Sequence, residues 1–278
     1  MSDMPAKREG DLSITALYTS QAWAWGGFDA AELLATKEAK IAFDFTNLVL
    51  GFLRLFAWRQ PLLRHSLVQR HAMIDRLLES SEATQVVELA AGLSQRGVSV
   101  SRRAEIEYVE IDLPHMIAKK RELLGRTDAG RAVLARPNLR FRSADVRDAV
   151  LDLGIEPTRS LCVIAEGLFM YFPIDEQRRL WTSIAAAMRP VPASTLLFDL
   201  TPRRAETSLQ GRALSRLMRA FTRGRAFEPD TRTHEDIVRD LRACGFSQVE
   251  LFEPATCTAW ALPHATKRTQ VLIFRCRT

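Results

Sequence analysis

The sequence predicts an α/β fold in which seven strands form a mostly parallel sheet with helices on both faces. Two observations predict it. Short runs rich in Val, Ile and Leu alternate along the chain with longer segments of helical spacing. The first of these runs, TQVVELAAG, ends in a glycine, as a buried parallel strand does where it enters a tight turn.

Residues 30–80 place apolar side chains at helical intervals, Leu33, Leu34, Ile41 and Phe45 and then Leu67, Met73, Ile74, Leu77 and Leu78, with Pro61 dividing them into at least two helices. Asp44, Asn47 and Arg54 interrupt the apolar stretch 41–58, which fits a buried amphipathic helix better than a membrane span. From Thr84 the texture changes. TQVVEL and IEYVEID read as strands, followed by a helix over LPHMIAKKRELLGR with Pro114 in its first turn. LRFRSADV and SLCVIAEGLFMYF supply the third and fourth strands, PIDEQRRLWTSIAAAMRP a helix and STLLFDLTP the fifth strand. THEDIVRDLRACGF is a helix capped by Thr233 and ended by Gly245, and QVELF and QVLIF complete the sheet as an antiparallel pair at one edge. The expected organisation is a helical N-terminal cap over residues 1–82 and a core over 83–278, with a basic lid insertion at about 203–230.

Composition narrows the class. The 278 residues are 47% hydrophobic and 26% charged, the balance of a globular protein and not of a disordered one. Net charge is +6 with a pI near 9.4, spread along the whole chain. Such a balance suits a solvated surface or an acidic small-molecule partner, and nucleic acid is the lesser option. Cys162, Cys244, Cys257 and Cys276 lack CxxC spacing, so no metal site is expected and a reducing compartment is. The N-terminus has no apolar signal core, and a cytoplasmic location is the default expectation.

In a parallel sheet, ligands bind at the carboxyl ends of the strands. After the first strand stand Glu88, Leu89, Ala90, Ala91 and Gly92, small enough for backbone amides to approach a ligand. Asp112 ends the second strand about 20 residues on, the interval at which an acid reaches ribose hydroxyls. A tight turn followed by an acid at a helix start explains the same residues without a ligand. LAAGLSQRG has no GxGxxG, which disfavours a diphosphate and suits a nucleoside such as S-adenosyl-L-methionine, whose sulfonium is positive. Asp145, after the third strand, could receive an adenine amino group or cap the next helix; the two roles are compatible. Glu166 stands beside Gly167 in an apolar run, where an unpaired acid is costly. Either a ligand's ammonium group or Arg70 would account for it.

VVELAAGLSQR, YVEIDLPHMIAKK, RSADV and AEGLFMYFP together resemble the leucine carboxyl methyltransferase family, in its bacterial polyketide O-methyltransferase branch. The resemblance runs in order over about 67–200, with EIDLP and EGLFMYFP its most specific pieces. It implies a Rossmann-like methyltransferase sheet and S-adenosyl-L-methionine as cofactor. By that resemblance Arg70 holds the cofactor's carboxylate, while Ala90, Ala91 and Gly92 line its methionine moiety. Asp112 binds the ribose, Asp145 and Val146 frame the adenine, and Glu166 takes the amino group; Glu88, Leu113 and Gly167 are further expected cofactor contacts. The chain departs from the family in two places. Ala90-Ala91-Gly92 replaces Gly-Ala-Gly, which is tolerable if the local φ is negative, and Ser94-Gln95-Arg96 replaces Asp-Thr-Arg, which removes an acid.

Methyl transfer from a sulfonium needs alignment and exclusion of water more than acid–base help. A carboxylate acceptor needs no base, and Arg203 and Arg204 could orient it; a hydroxyl acceptor would need one. No catalytic residue is singled out: Tyr171 and Arg203 are candidates, and His71, His115, His234 and His264 read as surface or cap residues. Trp23, Trp25 and Phe28 read as anchors of the N-terminal helices. The expected activity is methylation of a carboxylate or hydroxyl on a small molecule, with an acidic acceptor favoured. A nicotinamide oxidoreductase, a nucleic-acid methyltransferase and a non-catalytic binder are the rivals, and oligomeric state is open.

Overall fold

A computed structural model describes residues 14–54, 63–149, 153–200, 230–254, 256–257, 260–264 and 271–278. Its centre is a seven-stranded sheet in the order β3-β2-β1-β4-β5-β7-β6. The strands are β1 (Gln85–Leu89), β2 (Glu107–Asp112), β3 (Leu139–Ser143), β4 (Leu161–Ala165), β5 (Thr195–Leu200), β6 (Gln248–Phe252) and β7 (Leu272–Arg277). The first five run parallel, and β7 is antiparallel to both β5 and β6. The antiparallel pair closes one side of the sheet as expected, but β7 itself is inserted between β5 and β6, leaving β6 outermost. Chain order reverses between β1 and β4, which marks the crevice where such sheets take ligands.

Alternation along each strand divides the core into two layers. Val87, Leu89, Val163, Phe198 and Phe274 face α8 (Ile174–Met188) and α9 (His234–Ala243), where Trp181, Ile184, Ile237 and Leu241 are buried against them. Val86, Tyr108, Ile164, Leu197 and Ile273 face the opposite way, onto Met73, Ile74 and Leu77 of α3 (Leu63–Glu79) and Leu123 and Leu124 of α5 (Pro114–Gly125). Burial of each such side chain stabilises the fold by about 1.5–3 kcal/mol. Local signals fix the ends. Pro114 occupies the first turn of α5, where its missing N–H costs nothing. Thr233 and Asp236 form a reciprocal capping box at the start of α9, and Gly245, at φ +110°, follows its end. Short helices α4 (Arg96–Val100), α6 (Asp128–Leu134) and α7 (Val146–Ala149) fill the connections.

Before the sheet stand α1 (Ile14–Trp25), α2 (Lys37–Arg54) and α3. α3 packs directly on β5 and β7, whereas α1 packs on α2 and α3. The expectation of a buried helix over 41–58 is corrected here. α2 buries Ala39 and Phe43, but Ile41 (69% exposed), Phe45, Leu48 (72%) and Phe52 form an outward stripe. The helix is apolar on two flanks, and packing on α1 covers only the stripe that contains Phe43. No helix among the described residues is long and apolar enough to cross a membrane. Most of the expected lid at 203–230, including Arg203 and Arg204, lies outside the described residues.

Candidate functional site

The carboxyl ends of β1, β2, β3 and β4 bring the sequence-selected residues to one edge of the sheet. After β1, Ala90 adopts φ +52° and Gly92 φ +55°. The condition that would make an alanine harmless at position 90 is therefore not met: Ala90 occupies the left-handed region, where a Cβ costs about 1–2 kcal/mol. The turn is held from the next strand. Asp112 accepts the Gly92 amide on Oδ2 at 2.6 Å and the Leu113 amide on Oδ1 at 2.7 Å. Burial pushes the Asp112 carboxyl up and the two amides pull it back, leaving it above its ordinary value. After β3, Asp145 accepts the Arg147 amide at 2.9 Å and pairs with the Arg147 guanidinium at 2.6 Å. Its helix-capping role is thus present, at the start of α7 where Val146 is buried.

Glu166 follows β4 and is buried, with 5% of its side chain exposed. Arg70 Nε donates to Oε1 at 2.9 Å, Arg96 Nη2 donates to Oε2 at 2.6 Å, and His71 Nδ1 lies 2.8 Å from Oε2. Burial raises the Glu166 carboxyl, but His71, Arg70 and Arg96 beside it outweigh that and hold it well below the usual range. Of the two partners the sequence allowed for Glu166, Arg70 is the one in contact with it. Arg70 also donates through Nη1 to Asp199 at 3.1 Å, and Asp199 accepts the Gly167 amide at 2.5 Å. Arg70 is therefore pinned between two carboxylates, with Tyr171 near enough to add to its electrostatic field. Arg70 is thus buried, although Arg76 on the same helix is exposed.

Glu88 lies deeper than expected for a ligand contact. It is buried, with Arg96 Nη1 on one oxygen at 2.5 Å and the Tyr108 hydroxyl donating to the other at 2.8 Å. Arg96 binds a third carboxylate, Asp75, through Nε at 2.6 Å. Each nitrogen of one guanidinium thus serves a different acid. His71, read from the sequence as a surface or cap residue, is instead fully buried under Trp23 (ring centroids 4.8 Å apart) and Phe28 (4.7 Å). Its Nε2 faces the Gln95 side-chain amide at 2.9 Å. His264 stacks on Trp25, and His234 pairs with its neighbour Glu235.

Sequence reasoning missed Arg96, Asp199 and the placement of His71. Asp199 offered the signal that flagged Glu166, an acid inside the apolar run STLLFDL. Arg96 was foreshadowed by Glu88, an acid in a buried strand that needs a cation. A crevice of about 560 Å³ opens between α3, α4 and the starts of β1 and β2, lined by Glu79, Glu82, Glu105 and Arg103 and bordered by Asp75 and Arg96 of the buried network. None of the strand-end residues 90–92, 112, 145 and 166 borders it. Among the described residues no cluster of His, Cys, Asp and Glu could hold a metal ion, and all four cysteines are free.

Residues 29–185 match the family model described as Leucine carboxyl methyltransferase. The chain belongs to the leucine carboxyl methyltransferase family. The match spans β1 to β4 and contains Arg70, Arg96, Asp112, Asp145 and Glu166, whereas Asp199 lies beyond it. A protein of Parafrankia sp. (strain EAN1pec), provisionally named an S-adenosyl-L-methionine-dependent methyltransferase, is 30% identical over 139 residues, 49% of this chain and 45% of that protein. A protein of Mycolicibacterium gilvum (strain PYR-GCK) with the same provisional name is 40% identical over 110 residues, 38% of this chain and 35% of that protein. The chain thus spans less than half the length of these relatives. Among solved structures, PigF with SAH superposes with a TM-score of 0.51 at 13% identity, covering 95% of this chain and 68% of that one. That likeness shows the shared Rossmann-like methyltransferase fold.

Proposed function

We propose that this family member binds S-adenosyl-L-methionine at the carboxyl ends of β1, β2 and β4 and transfers its methyl group to an oxygen of a small molecule. The observation that carries this reading is the charge of the site. Asp75, Glu88, Glu166 and Asp199 surround Arg70 and Arg96, so carboxylates outnumber cations even with His71 protonated. Asp112 adds a further acid along the same edge, whereas Asp145 is balanced by Arg147. An environment of that sign attracts an ammonium or sulfonium group and repels a diphosphate. The start of α4, where a dinucleotide would set its phosphates, is turned inward, with the Arg96 amide bonded to the Ser94 hydroxyl at 3.2 Å. These features disfavour a nicotinamide cofactor.

The donor set fits the cofactor. Glu166 Oε1, engaged only by Arg70 among the described residues, keeps an acceptor direction for an ammonium group. The Arg70 Nη2 group, bonded to no carboxylate among the described residues, remains for a carboxylate. The Ala90–Gly92 turn offers backbone without bulk, and Asp112 faces the ribose position at the end of β2. When bound, S-adenosyl-L-methionine supplies a methyl group already activated by its positive sulfur. The chain's task is to hold the cofactor's polar ends, keep water out and align the acceptor. An ionised carboxylate or acidic phenol needs no general base, in keeping with a site whose buried histidine is committed to Glu166. We take the acceptor to be a small acidic molecule.

Calorimetry of the purified chain with S-adenosylhomocysteine and with NAD tests the reading. Micromolar binding of the first and none of the second is expected; the reverse would overturn it. A screen of small carboxylic acids and phenols for methyl ester or ether formation then distinguishes the acceptor classes.

A further inference from the structure

The guanidinium of Arg96 does not reach the strand-end surface, since only 1% of its side chain is exposed. Yet it touches the one carboxylate that the proposed reading assigns to the ligand's ammonium group. Its three nitrogens bridge three elements: Nε to Asp75 on α3, Nη1 to Glu88 on β1 and Nη2 to Glu166 after β4. Three charge-assisted bonds from one planar fork define a direction as well as a charge. Glu166 Oε2 is consumed by this bond and by His71, so the plane of the carboxylate is set from behind and Oε1 is the oxygen turned to the site. His71 is itself fixed between Trp23 and Phe28, so the N-terminal helices support the same carboxylate. Without Arg96, His71 alone would hold Oε2, and the carboxylate could turn about its bond to Arg70.

We propose that Arg96 is a positioning residue, which presents Glu166 Oε1 to the ammonium group of the bound amino-acid moiety and ties that carboxylate to helix α3. The assignment rests on the reading that the site takes S-adenosyl-L-methionine. Its consequence is selective: Arg96 matters for ligands that carry the amino-acid moiety and not for the nucleoside half, which meets Asp112 and Asp145 instead.

Two probes separate the halves. S-adenosylhomocysteine carries the ammonium group, and 5′-methylthioadenosine lacks the whole amino-acid moiety. In Arg96→Lys, which keeps the charge but loses the fork, affinity for S-adenosylhomocysteine should fall tenfold or more while that for 5′-methylthioadenosine stays within twofold. Glu166→Gln should show the same selective loss, and the double variant should lose no more than either single one. Equal losses for both ligands, or fully additive losses in the double variant, would mean that Arg96 merely stabilises the fold and would overturn the inference. If Arg96→Lys does not fold, Asp75→Asn serves: Asp75 is 30% exposed and outermost in the network, and its loss should weaken S-adenosylhomocysteine severalfold and leave 5′-methylthioadenosine alone. An unchanged ratio of the two affinities in Asp75→Asn overturns the inference. Wild-type protein that binds neither probe overturns the underlying reading, and the inference with it.

Discussion

Asp112 reaches back from the end of β2 to accept the Gly92 amide at 2.6 Å, so the carboxylate proposed to meet the ribose also fixes the turn that follows β1. Its second oxygen takes the Leu113 amide at 2.7 Å, and each oxygen retains a lone pair for a hydroxyl donor. Asp112→Ala should therefore act twice. Loss of two charge-assisted bonds should destabilise the protein by about 2 kcal/mol. Affinity for S-adenosylhomocysteine should drop at least tenfold, because a ribose contact is removed and the turn is no longer held. Denaturant unfolding and calorimetry read the two effects separately; an unchanged affinity with lowered stability would restrict Asp112 to the turn.

Ala90 pays for its left-handed φ of +52° with a Cβ crowded against its own backbone. Glycine at the same φ is free of that clash and carries a larger loss of backbone entropy on folding. The strain exceeds the entropy, so Ala90→Gly should raise stability by about 0.5–1 kcal/mol. The midpoint of urea unfolding should move up with an unchanged slope. A lowered midpoint would show that the Ala90 methyl contributes packing against the core that outweighs its strain.

Glu110 gives a pH dependence of definite sign. It is fully buried, pairs with Lys120, and its carboxyl is pushed up by burial to about 7. Lys120 also donates to the Ser94 carbonyl at 2.5 Å, which links this pair to the loop before α4. A carboxyl with a raised folded-state value binds its proton more tightly when folded. Its contribution to stability is fully present below the ordinary carboxylate range and is lost as pH rises to about 7. The unfolding midpoint of the wild type should decline across that window relative to Glu110→Gln. The slope is the readout, because the variant's absolute stability also changes when Lys120 loses a charged partner. Parallel pH profiles would show that Lys120 keeps Glu110 ionised throughout.

The strands were legible because β-branched runs buried on both sides leave little else for those residues to do, and the Thr233 cap and Gly245 stop were legible because backbone chemistry at helix ends is local. The carboxyl-end acids were legible from their places in the chain: Glu166 stands one step past the uncharged run of β4, Asp112 ends β2 and Asp145 lies two residues past β3. What could not be read was partnership at a distance. Arg96 and Glu166 are 70 residues apart and Arg70 and Asp199 are 129 apart, and only the strand order β1-β4-β5 brings them together. The φ of Ala90 was equally hidden, since an alanine gives no hint of a left-handed backbone. The outward stripe on α2 misled for a related reason: helical spacing shows that a face is apolar, not which face finds a partner.

Gly167 offers a test of how tightly Arg70 is held. Its φ is +67°, and a Cβ built there would stand 3.3 Å from Arg70 Nη2 and 3.4 Å from Nη1. A flexible side chain could retreat from such a contact. Arg70 cannot do so freely, because Nε is bonded to Glu166 and Nη1 to Asp199. Gly167→Ala should thus add backbone strain of about 1–2 kcal/mol and also displace the guanidinium by a few tenths of an ångström. The displacement falls on the Nη2 group offered to the ligand's carboxylate, so affinity for S-adenosylhomocysteine should fall roughly tenfold, a cost of about 1.4 kcal/mol. 5′-Methylthioadenosine, which has no carboxylate, should bind nearly as before. Comparison with Ala90 sharpens the expectation, because the left-handed alanine there packs against the apolar core and the chain already tolerates it. If Gly167→Ala lowers stability and leaves both affinities intact, Arg70 has room to move and is not the group that reads the carboxylate.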